Sequence, residues 1–137
     1  MKTTGELLDQ ATSQGTTVEW ANLGRRSGTY NHTQHRITLH TKLTSYQERS
    51  TLAHEISHAH WHDIHTTCPA ESERMERRAD AEAARNLITP AEYATAEAEV
   101  GSHIGALAEY LEVSTWVVEI WQREASYGRR WTCLEGT

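Results

Sequence analysis

Apolar residues recur along this chain at two spacings, and the spacing changes mark the elements. Leu7, Leu8 and Ala11 fall on one face of a helix over residues 4–14, with Thr3 or Thr4 as its cap and Gly15 as its end. Thr16 to Trp20 is rich in β-branched and aromatic residues and reads as a strand, followed by a loop punctuated by Gly24 and Gly28. Thr29–His32 and Arg36–His40 read as two more strands joined by a turn, with Ile37 and Leu39 alternating against polar neighbours. The pattern predicts a small antiparallel sheet within about residues 16–43.

From residue 45 the period becomes helical. Tyr46, Leu52, Ala53, Ile56 and Ala59 form a stripe over about residues 45–62, and Ser45 with Glu48 has the spacing of a capping box. Pro69 stands at the first turn of a second long helix, over about residues 70–88, which must stop before Pro90. Thr89 caps a shorter helix ended by Gly101, and residues 102–121 hold two apolar helical stretches about Ser114. These last elements, within about residues 90–127, could form a helix-turn-helix-like extension. The expectation is one α+β domain over residues 1–137, mainly helical.

Composition narrows the function classes. A net charge of −6 offers no basic footprint for nucleic acid, and residues 114–137 balance three arginines with three glutamates. No apolar run reaches the roughly 18 residues of a membrane span, and the amino terminus lacks a secretion pattern, so a cytoplasmic location is expected. Cys68 and Cys133 belong to no C-x-x-C pair and read as reduced thiols. Trp116 and Trp121 read as core, and Arg129-Arg130 as a solvated tail.

The chemistry centres on His54-Glu55-Ile56-Ser57-His58. On a helix, His54 and His58 share a face one turn apart and can bind one metal ion, with Glu55 beside them. The apolar stripe carries this box inward, where ionisable groups are costly unless a ligand pairs with them. A catalytic zinc ion needs three protein ligands and one open position. A third histidine ten residues after His54, with glycine at seven, is excluded because Trp61 and Ile64 stand there.

A carboxylate from the second long helix is the other solution. Glu76 and Asp80 share a helical face, so Glu76 can complete the ligand set while Asp80 accepts a hydrogen bond from the far nitrogen of a ligand histidine. Glu71, Glu73 and Glu82 are rivals for the ligand role. The implied mechanism is metal-assisted hydrolysis with Glu55 moving the proton. The competing readings are a non-catalytic regulator binding protein or DNA, and a purely structural metal with four ligands. His60, His62 and His65 could form a second metal site, and Tyr30, His32, His35 and His40 are open candidates for stabilising an oxyanion.

Leu52–Ala59 together with Glu76–Pro90 resembles the ImmA/IrrE family of metallopeptidases, and the similarity covers roughly residues 18–125. The resemblance implies a zincin-like domain with one Zn2+ on His54, His58 and Glu76, and Glu55 as general acid/base. It also implies an edge strand around Ile37 that pairs with extended substrate. The implied partner is a protein substrate, a transcriptional repressor, cleaved in an anti-repressor role in a phage or mobile element. Thr89 stands where the family often has methionine, and no fused DNA-binding or sensor domain is evident.

Overall fold

A computed structural model describes residues 2–126; Cys133 and the Arg129-Arg130 pair lie outside the described residues. The elements run α1 (Thr4–Ser13), β1 (Thr17–Ala21), β2 (Gly28–Asn31), β3 (Arg36–His40), α2 (Ser45–His60), α3 (Pro69–Leu87), α4 (Pro90–Val100), α5 (Ile104–Leu111) and α6 (Thr115–Ser126). The α+β class holds, with helix predominating.

The sheet differs from expectation in its topology. Its order is β1-β3-β2, with β2 antiparallel to β3 but β1 parallel to β3, so it is mixed rather than antiparallel. The reason is burial. Ile37 and Leu39 are fully buried against the helices, so the strand that carries them takes the centre, while β1 and β2 stay at the edges with partly or largely exposed residues. The strand around Ile37 is therefore not an edge. The free edge near the cleft described below belongs to β2.

α2 is the central helix. Leu52, Ala53, Ile56 and Ala59 are buried as the stripe predicts, but so are Arg49, Ser50, Thr51, Glu55, Ser57 and His58. A helix covered on nearly all sides must satisfy its polar groups internally. Ser50 Oγ accepts from the Ser114 backbone N–H at 2.9 Å, and Arg49 Nη1 donates to the Leu111 and Glu112 carbonyls at 3.0 and 2.5 Å, closing the end of α5. The cap of α2 sits one residue earlier than expected: Thr44 and Gln47, not Ser45 and Glu48, form the reciprocal box. Thr3 with Glu6, and Thr89 with Glu92, make the same device on α1 and α4.

α3 lies along α2, and its small residues Ala79, Ala83 and Ala84 are buried, which lets the two helices approach closely. α5 and α6 pack into the same core through Leu107, Leu111, Val113, Val117, Val118 and Trp121, so their apolar faces are spent within the domain rather than forming a separate extension. Trp121 Nε1 donates to the Ile88 carbonyl at 3.2 Å, tying α6 to the end of α3. Among the described residues, no helix is long and apolar enough to cross a membrane.

Candidate metal centre

The i, i+4 spacing on α2 brings His54 and His58 side by side, with Nε2 atoms 3.1 Å apart. α3 supplies the third group: Glu76 Oε2 lies 2.9 Å from His54 Nε2, and Oε1 lies 3.3 Å from His58 Nε2. One turn further along α3, Asp80 Oδ1 meets His54 Nδ1 at 2.9 Å, as the shared face of Glu76 and Asp80 predicts. His58 Nδ1 meets Asp63 Oδ2 at 2.8 Å, a contact that sequence reasoning did not find.

The three rival carboxylates are engaged elsewhere. Glu82 accepts from Ser57 Oγ at 2.5 Å and from Trp61 Nε1 at 2.8 Å, Glu71 accepts from Thr66 Oγ1 at 3.2 Å, and Glu73 pairs with Arg77. Glu55 is a nearer competitor, since its carboxylate and the two histidines place ligand-capable atoms within 4.8 Å of one another. Glu76 has the better claim to be the ligand, because it alone spans both Nε2 atoms at contact distance.

The donor set fits a cation. With each Nδ1–H directed to a carboxylate, both Nε2 lone pairs face one spot together with the Glu76 carboxylate, and three electron-pair donors converge. A tetrahedral zinc ion with bonds of about 2.0–2.1 Å spaces its ligand nitrogens about 3.3 Å apart, close to the separation here. In the metal-free protein a proton takes the cation's place. Burial disfavours the charged His54, but the Asp80 and Glu76 carboxylates outweigh it and hold its pKa at about 10. His58 is raised by the same contest, burial against its bonds to Glu76 and Asp63, and the two histidines hold Glu76 well below the usual carboxylate range.

Glu55 is in a different situation. It is only 6% exposed, and its Oε2 is buried with no hydrogen-bond partner. Burial raises its pKa, against the lowering pull of His54 and His58. A buried carboxylate oxygen left unpaired beside a cation site is a proton acceptor awaiting a donor.

These groups open onto a cleft of about 700 Å3. β2 and the turn before it form one wall, with Arg26, Gly28 and Tyr30. The other sets apolar Met75 from α3 and Trp116 and Ile120 from α6 among the polar groups of Ser72, Glu76, Asp80 and Glu119. Trp116 stands edge-on to the His54 ring, their centroids 6.0 Å apart. Of the four oxyanion candidates only Tyr30 lines the cleft, its hydroxyl 3.0 Å from His32 Nδ1. His65 lines it too, but His60 and His62 do not, and among the described residues no second metal cluster forms.

The sequence matches the Peptidase_M78 family, described as the IrrE N-terminal-like domain, over residues 11–120. The chain belongs to this family. Comparison with curated proteins returns no match. The matched span contains the whole sheet, both helices of the histidine–carboxylate cluster and the start of the α6 wall. Membership and the His54-Glu55-His58 cluster together make this a metallopeptidase-like hydrolase with a site compatible with a metal ion.

Proposed function

We propose that the protein is a zinc-dependent endopeptidase of the cytoplasm that cleaves a partner repressor protein. The observation that carries the hydrolytic reading is the convergence of His54 Nε2, His58 Nε2 and Glu76 beside the unpaired Oε2 of Glu55, at the floor of an open cleft. His54, His58 and Glu76 would hold the ion. When bound, zinc supplies Lewis acidity towards a peptide carbonyl and lowers the pKa of water towards neutrality.

The remaining work falls to the chain's own residues. Glu55 takes a proton at Oε2 and later returns it to the departing amine; burial raises its pKa, which suits both transfers. Asp80 fixes the tautomer and the aim of His54. The free edge of β2 can align an extended backbone by strand pairing, while Met75, Trp116 and Ile120 receive side chains.

The repressor substrate rests on family resemblance, and the free edge of β2 beside the cleft supports a protein chain over a small molecule. Zinc-loaded protein incubated with the repressor encoded beside its gene should yield discrete fragments, identified by mass spectrometry. Cleavage should vanish with a chelator and with Glu55→Gln. Fragments that persist in either control would refute the mechanism, and an intact repressor would refute the substrate.

A further inference from the structure

The two histidines of the cluster are aimed by different parts of the fold. His54 is held by Asp80 on α3, within a helix–helix contact. His58 is held by Asp63, which lies in the loop after α2. We propose that Asp63, anchored by Arg78, is the positioning residue for His58, so that one of the three metal ligands depends on this loop. The inference rests on the reading of His54, His58 and Glu76 as metal ligands.

The Asp63 side chain is only 11% exposed, and a carboxylate so placed needs charged or hydrogen-bonding partners. It has two. Arg78 Nη2 donates to both of its oxygens, and Oδ2 also faces His58 Nδ1. The Asp63 backbone N–H donates to the His58 carbonyl at 3.0 Å, which fixes the loop to the last turn of α2. Arg78 is itself seated, its guanidinium 4.9 Å from the centroid of the Trp61 ring. Trp61 in turn donates to Glu82, which also accepts from Ser57.

The result is a closed belt from α2 through the loop to α3 and back. Its side-chain contact with the His58 ring is the pair of His58 Nδ1 and Asp63 Oδ2. A purely structural ion pair between Asp63 and Arg78 would stabilise the loop without affecting metal binding, so the two roles can be separated.

Zinc affinity is measured by competition with a chromogenic chelator for wild type, Asp63→Ala, Asp63→Asn, Arg78→Met and the Asp63→Ala/Arg78→Met double variant. Circular dichroism monitors the metal-free fold, and the visible spectrum of cobalt-loaded protein reports the ligand field. Asp63→Ala should bind zinc about 10–100-fold more weakly with an altered cobalt spectrum. Asp63→Asn, whose amide oxygen still accepts the Nδ1–H, should recover part of the loss and remains informative if the alanine variant does not fold. Arg78→Met should lose less than Asp63→Ala, and the double variant should bind no more weakly than Asp63→Ala alone, because both act through one path.

Wild-type affinity and an unchanged cobalt spectrum in folded Asp63 variants would overturn the proposal while leaving the metal reading intact. Additive losses in the double variant would remove Arg78 from the path. Wild-type protein that binds no zinc would overturn the metal reading, and this inference with it.

Discussion

Gly28 offers a sharp test of how the sheet meets the helix that carries His54, Glu55 and His58. It opens β2 directly over α2, and a Cβ added there would lie 2.6 Å from Thr51 Cγ2, 3.3 Å from Glu55 Cγ and 3.4 Å from Leu39 Cδ2. Carbon atoms rest at about 3.5–4.0 Å, so Gly28→Ala demands a shift of about 1 Å from Thr51 and a few tenths from Glu55. Thr51 is buried on a helix and β-branched, so it has little rotamer freedom with which to retreat. Overpacking of this kind costs about 1–3 kcal/mol. For a chain of this size that is roughly 3–10 °C in melting temperature.

Displacement of Glu55 should cost about tenfold in kcat. Zinc stoichiometry should not change, since neither His54 nor His58 is among the atoms met. Thr51→Ser removes the methyl that clashes, so the Gly28→Ala/Thr51→Ser pair should regain at least half of both losses. Differential scanning calorimetry and peptide cleavage read the two effects. A Gly28→Ala protein that melts and cleaves like wild type, or a pair that recovers nothing, would refute the close-packing argument.

Four further outcomes are expected. Glu55→Gln should retain zinc and lose cleavage, whereas His54→Ala should lose both, as measured by metal analysis and peptide turnover. Because His54 is held at about 10 in the metal-free protein, zinc binding near pH 8 should release a proton, and affinity should rise with pH until His54 is deprotonated. Calorimetry in buffers of different ionisation enthalpy checks this, and a buffer-independent heat would contradict it. The same raised pKa stabilises the metal-free fold fully below about 6.5, and this contribution should fade as pH rises through about 10. Thr44→Ala should cost about 0.5–2 kcal/mol in denaturant unfolding by removing the cap of α2.

Legibility differed between the helices and the sheet for a physical reason. Helix spacing is a local property, so His54 with His58, and Glu76 with Asp80, could be placed on shared faces from their numbers alone. Strand order is not local: nothing within residues 17–40 states that β3 inserts between β1 and β2, so the edge that the resemblance implies around Ile37 lies instead on β2. The Thr44–Gln47 cap was missed by one residue because Ser45–Glu48 has the same residue chemistry at the same spacing. Asp63 was missed because it belongs to a loop, where sequence separation carries no directional information.

The sequence by itself determined the helices, the His-Glu-His box on one of them and the acidic pair on another, because 3.6-residue periodicity converts numbering into direction. Only the tertiary structure decided which carboxylate reaches both histidines, since Glu71, Glu73, Glu76 and Glu82 occupy the same helix and are separated only by the way α3 lies against α2. It also decided that the free edge over the cleft is β2 and that His58 answers to a loop. Those facts depend on which surfaces meet, and burial of Ile37 and Leu39 on β3 and of the alanine face of α3 settles that among the described residues.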